Sequence, residues 1–240
     1  MTITAHEFQR WSDAKIPGRS VREISQATGL KWTTLHQQIV RGKVSEATVV
    51  AIARAYEFSA LEELSSFEQY TDLALGTKPP TDAELISQVH YLDILREVLV
   101  RADELLPFMP GDLRAFPHTD STRAWIDAID PGDLRTAMAT RLGVTTSTFS
   151  SRLKRTLPAD IAIDVARYAG VSLASGLVVT GLLTEQEGDW PPEARLNALQ
   201  AQSDSDLLSI ATQKLAIQNR KYWGKTHDRD QAKEYWENLG

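Results

Sequence analysis

The sequence predicts an all-α protein in which one helical unit occurs twice. Three observations carry this expectation. Apolar residues recur at three- and four-residue spacings, and no stretch alternates apolar with polar residues as a half-buried strand would. The segment WSDAKIPGRSVREISQATGLKWTTLHQQI (11–39) falls on WIDAIDPGDLRTAMATRLGVTTSTFSSRL (125–153) when the chain is slid along itself. The residues that punctuate helices, a Pro-Gly pair and a later glycine, keep one register in both copies.

The elements follow in order. A first helix carries Trp11 or Trp125 and stops at Pro17-Gly18 or Pro131-Gly132. A second runs from about Val21 to Ala27, or Arg135 to Arg141. Gly29 and Gly143 then stand where the chain needs a left-handed residue, a conformation glycine adopts without steric cost. A third helix follows over roughly 32–41 and 146–155. Leu35 and Ile39, or Phe149 and Leu153, lie four apart on its inner face. The pairs Ile24/Met138 and Leu30/Val144 match in kind. With a shift of one residue the repeat continues into a fourth helix, where VVAIARAYEFSALEEL (49–64) resembles DIAIDVARYAGVSLASGL (160–177) through Ala53-Arg54 and Ala166-Arg167.

Between the copies, Lys78-Pro79-Pro80 marks a break. A long helix is expected from Thr81 or Asp82 to about Leu105, with Leu85, Val89, Leu92, Leu95, Leu99 and Val100 as its apolar stripe. It reads as a rigid connector packed on the first copy, with dimerisation as the competing role. After Trp190-Pro191-Pro192 a further helix is expected around Asp204–Arg220, followed by the basic, aromatic stretch NRKYWGKTH (219–227). The expected organisation is a first domain over 1–70, a linker over 71–118, and a second domain over 119–240 that holds the second copy (119–183) and a helical extension (184–240).

Composition narrows the function. The chain has 240 residues, no cysteine and a net charge of −6. Disulfides and thiolate metal sites are excluded, and an uncharged span long enough to cross a bilayer is not seen. No signal peptide is read at MTITAHEFQR, so a cytoplasmic, nucleoid-associated protein is expected. His6, His36, His90, His118 and His227 are scattered without metal-ligand spacing. There is no phosphate-cradling glycine loop and no nucleophile elbow, so neither an enzyme nor a cofactor or small-molecule ligand is expected. Ala169-Gly170, a candidate self-cleavage bond, lies inside the second copy with no β-domain after it and is read as coincidence.

Charge is unevenly spread. Residues 19–43 and 133–157 each hold five Lys/Arg against one acid, while 61–118 holds eleven acids against four bases. Two basic islands, each on a third helix, suit double-stranded DNA, because an α-helix fits the major groove where base edges carry a distinguishable code. In the first copy the outward, base-reading candidates are Lys31, Trp32, Thr33, Thr34, His36 and Gln37, with Gln37 suited to bidentate adenine contact. In the second they are Thr146, Ser147, Thr148, Ser150, Ser151 and Arg152. Arg19, Arg22, Arg41, Lys43, Arg135, Thr145, Lys154 and Arg155 are the phosphate candidates. Trp32 is the odd member: it either packs under the turn as core, the favoured placement, or lies against DNA. Lys31 departs from capping chemistry, whereas the matching Thr145 is a good N-cap.

Each copy resembles the helix-turn-helix domain of phage repressors of the lambda-repressor-like class. Ser25 or Ala139, Gly29 or Gly143, Leu35 or Phe149, and the following AIARAYEFS or DVARYAGVS carry the resemblance, over about half the chain. The two-copy layout is similar to immunity repressors of actinobacterial temperate phages, mycobacteriophages in particular. That resemblance implies a transcriptional repressor that maintains lysogeny by binding operators as a monomer. Asymmetry of the site is expected independently, because KWTTLHQQ and TTSTFSSR cannot read the same bases. The alternative is a chromosomal regulator or antitoxin whose second copy serves protein interaction or dimerisation.

Overall fold

The computed structural model describes residues 3–74, 78–102, 112–153 and 157–237. It is all-α apart from one two-residue strand pair. Contacts divide the chain into two compact units, Met1–Gln88 with Phe116–Ala194, and Val89–Ala115 with Arg195–Gly240.

The first unit begins with β1 (Ile3–Thr4), which runs antiparallel to β2 (Lys43–Val44), Ile3 opposite Val44. The pair is too short for alternation to show in the sequence. Thr4 caps α1 (Ala5–Lys15) in a reciprocal box with Glu7. Ser20 and Glu23 repeat that device on α2 (Val21–Thr28). The helix ends on Gly29 at φ 71°, ψ 3°. Then come α3 (Trp32–Val40), α4 (Glu46–Ala55, capped by Ser45) and α5 (Ala60–Ser65), followed by a 3-10 turn over Glu68–Ala74. Phe8, Ile24, Leu35, Val49 and Ile52 are buried between them.

The expected linker helix is in fact two. Thr81 and Glu84 box the start of α6 (Asp82–Ser87), which packs on a helix of the second copy. After a break at 88–90, α7 (Tyr91–Ala102) starts afresh, with His90 Nδ1 accepting the Leu92 N–H at 3.2 Å. The break resets the helical phase, so the expected stripe does not hold as one face: Leu99 is 59 % exposed, while Asp93 and Ile94 are buried. The remainder of the expected helix, 103–105, lies outside the described residues.

The second copy consists of α8 (Ser121–Ile129), α9 (Leu134–Arg141), α10 (Thr146–Arg152), α11 (Ala159–Ala169) and α12 (Leu173–Val179). Trp125, Leu134, Met138 and Phe149 fill its core with 2 % exposure or less. Both copies fall within one compact unit.

The second unit pairs α7 with α14 (Asp204–Glu237), and α13 (Ala194–Gln200) leads into it. Arg101 holds this unit together, donating to the Gln200 and Gln202 carbonyls at 2.9 and 2.8 Å and to Asp204 at 3.0 Å. Within this unit the α7 part of the connector packs on the C-terminal helix. α14 runs well past the expected end at Arg220.

Candidate nucleic-acid interface

Each copy presents a helix, a left-handed glycine and a second helix. Gly29 (φ 71°) and Gly143 (φ 63°) make the two turns, and an added Cβ would meet nothing within 4 Å at either. Backbone conformation, not crowding, therefore requires glycine there. The first helix of each pair turns a small residue inward, Ser25 or Ala139, both buried. The second anchors itself through Leu35 or Phe149, each 0 % exposed.

The anchoring turns one row of α3 outward. Lys31, Trp32, Thr33, Thr34, His36 and Gln37 are all exposed. Trp32 is 48 % exposed and stacks on His36, ring centroids 4.8 Å apart. The favoured core placement of Trp32 is thus corrected: Leu35 fills the space beneath the turn, and the indole stands on the outer row. Lys31 occupies the N-cap and makes no side-chain cap bond, as its chemistry implies. Gln38, which sequence reasoning passed over, fixes the helix: its Oε1 accepts the Ser45 N–H and the Thr48 hydroxyl, both at 2.9 Å. A polar residue four before a turn gives no signal of that role.

Around α3, Arg22, Arg41 and Lys43 are exposed and hold no carboxylate among the described residues. Arg19 pairs with Glu23 at 3.3 Å, both half exposed. Hydrogen bonds from Ser20 hold the Glu23 carboxyl below its usual range.

The second copy matches in shape and differs in charge. Thr146, Ser147, Thr148, Ser151 and Arg152 are exposed, and Ser150 is half-buried. Thr145 caps α10 by accepting the Thr148 N–H at 3.1 Å. Arg135, expected to face phosphate, is instead turned inward: it pairs with Asp127 and donates to Ser150 Oγ at 3.2 Å. Arg141 pairs with Asp164 at 3.0 Å. Lys154 and Arg155 lie outside the described residues. Of the described cations in this island, Arg152 alone is exposed and paired with no carboxylate among the described residues.

The duplicated tryptophans are buried and hydrogen-bonded, but to unrelated partners. Trp11 donates its indole N–H to Glu63 at 2.7 Å, and Lys15 reaches the other oxygen of Glu63 at 2.7 Å. Trp125 donates to Glu84 at 3.0 Å, from α6. Among the described residues no group of histidines or carboxylates is arranged to hold a metal, and no helix is long and apolar enough to cross a membrane. No protein-family profile, curated protein or solved structure matches this chain.

Proposed function

We propose that the protein is a sequence-specific, double-stranded-DNA-binding transcriptional repressor that reads an asymmetric operator through α3 and α10. One observation carries the reading. Two helices of equal position in a duplicated unit are each anchored by a fully buried residue after a left-handed glycine, and each leaves a polar row exposed. Solvation alone does not call for that arrangement twice. The major groove does, since it admits a helix and rewards hydrogen-bonding side chains along it. The unlike rows make the two half-sites unlike. The layout resembles temperate-phage immunity repressors, and control of lysogeny is the role proposed on that ground. The protein acts as a monomer on DNA in this reading, because one chain supplies both heads.

Selection of bound duplexes from a random pool, with stoichiometry by sedimentation, tests this. A short asymmetric consensus bound by one chain is the expected result. A palindrome bound by two chains would mean that only one head reads. No enrichment would overturn DNA reading altogether.

A second reading has one observation in its favour: Asp127 and Asp164 hold Arg135 and Arg141, so the second head offers phosphates fewer free cations. In that reading the protein is a chromosomal regulator or antitoxin, and the second head binds protein. Replacing Ser150, Ser151 and Arg152 with alanine separates the two. Unchanged DNA affinity supports the second reading, and loss of affinity the first.

A further inference from the structure

The duplicated Ala-Arg pair does the same thing in both copies. Arg54, in the last turn of α4, grips Glu187 with two nitrogens, Nε at 2.7 Å and Nη2 at 2.6 Å, and reaches the Leu182 carbonyl at 3.0 Å. Glu187 and Leu182 follow α12, the last helix of the second copy. Arg167, the counterpart of Arg54 on α11, reaches back to Asp72 after α5, with Nη2 at 2.5 Å and Nε at 3.1 Å. Each arginine therefore crosses to the segment that follows the fifth helix of the other copy. This is the reciprocity of a two-fold interface, residue i to j′ and j to i′, built inside one chain. Lys78 adds a third tie, to the Gly170 carbonyl at 3.4 Å.

Besides these ties, α6, which follows the first copy, packs on α8 of the second. Among the described residues, no helix of the first copy packs along a helix of the second as α11 packs on α12 within its own copy. The arginine of each crossing stands on a helix tied to its own helix-turn-helix pair: α4 to α3 through Gln38, and α11 to α9, the helix before α10, through Asp164, which accepts from both Arg167 (2.6 Å) and Arg141 (3.0 Å). Arg54 engages both carboxylate oxygens of Glu187, which fixes orientation as well as distance, whereas both Arg167 nitrogens bond one oxygen of Asp72.

From this we infer that Arg54–Glu187 and Arg167–Asp72 form a reciprocal brace that makes the chain a built-in pseudo-dimer and sets the separation of α3 and α10, and hence the operator spacing the protein accepts. The inference rests on the DNA reading proposed above for its consequence, but not for the brace itself. Arg54, Arg167, Glu187 and Asp72 are positioning residues in it and touch no base.

Two measurements test it. The chain has no cysteine, so Val40→Cys and Ser151→Cys place spin labels at the ends of α3 and α10 without background. The DNA-free protein should give a narrow label-to-label distance distribution. Arg54→Ala with Arg167→Ala should broaden it, and molar salt should do the same. Exchanging the charges, Arg54→Glu with Glu187→Arg, should narrow it again relative to Arg54→Glu alone. A broad distribution in the parent protein, or one unchanged in a double variant whose circular dichroism is intact, would overturn the brace. The second measurement uses the operator selected by the unlabelled protein, with the spacing between half-sites altered. One inserted base pair displaces a half-site by about 3.4 Å and turns it by about 35°. The parent should lose about 100-fold in affinity once both heads can no longer engage. The double variant should bind the original spacing more weakly and lose less on altered spacings. Identical spacing profiles would sink the functional consequence, and a parent protein that selects no operator would sink DNA reading while the label distances still judge the brace.

Discussion

At the scale of single residues, chemistry and conformation act separately and can be tested separately. Gly29 has open space around its Cα and a positive φ, so Gly29→Ala should destabilise the fold by about 1–2 kcal/mol through backbone strain alone. Urea unfolding checks this, and Gly29→Asn should lose less because asparagine tolerates the left-handed region. Glu84 is fully buried and accepts from Trp125 on one oxygen and from the Thr81 N–H and hydroxyl on the other. Glu84→Leu strands these donors and should cost about 3 kcal/mol. Adding Trp125→Phe should recover part of that loss, which a double-mutant cycle would show. Gln37 is exposed and touches none of the core. Gln37→Ala should leave stability within about 0.5 kcal/mol. On a selected operator it should cost about 1–3 kcal/mol and relax preference at one base pair.

At the scale of elements, polar contacts at helix ends add to the buried apolar core in fixing where helices stand. The guanidinium of Arg54, with help from the Thr184 N–H, pulls the Glu187 carboxyl from its usual 4.5 down to about 2. A carboxyl whose folded-state value is depressed stabilises fully above its unfolded value and loses that contribution as pH falls through the folded one. The stability gap between the parent and Glu187→Gln should therefore be constant above about pH 5 and close between about 4.5 and 2, as urea midpoints across that range would reveal. Solvent around Arg54 screens the pair, so the gap is modest in size. The break between α6 and α7 belongs to this scale too. A run of leucines suggested one helix, but the imidazole of His90 caps a new one, and the two pieces pack against different partners.

At the scale of the whole molecule, the two copies share a shape and differ in free charge. Arg22, Arg41 and Lys43 are open to phosphate, whereas Arg135 and Arg141 are occupied by Asp127 and Asp164. Each phosphate contact contributes about 0.9 to the slope of log affinity against log salt. Alanine at Arg22, Arg41 or Lys43 should each flatten that slope by close to one contact. Alanine at Arg135 or Arg141 should leave the slope unchanged, and affinity titrations from low to moderate salt would decide. A slope that falls equally at both sets would mean that the second head opens its ion pairs on DNA.

What the sequence determined by itself was everything that local rules write into the chain. The glycine register, the helix start at Thr81, the inward Leu35 and Phe149, and the duplication were all legible, because helical period, breakers and caps act over a few residues. The outer row of α3 was legible for the same reason, Trp32 excepted: whether a large ring lies in or out depends on what already fills the space beneath it. Tertiary structure alone decided which cations stay free and what the repeated residues hold. Trp11 and Trp125 match in the sequence, yet their carboxylate partners stand 52 and 41 residues away on unrelated helices. The Ala-Arg pair was visible as a repeat, but its partners lie 133 and 95 residues off, just past the last helix of the other copy. An ion pair draws its energy from which side chains meet, and no periodicity along the chain records a meeting at that distance.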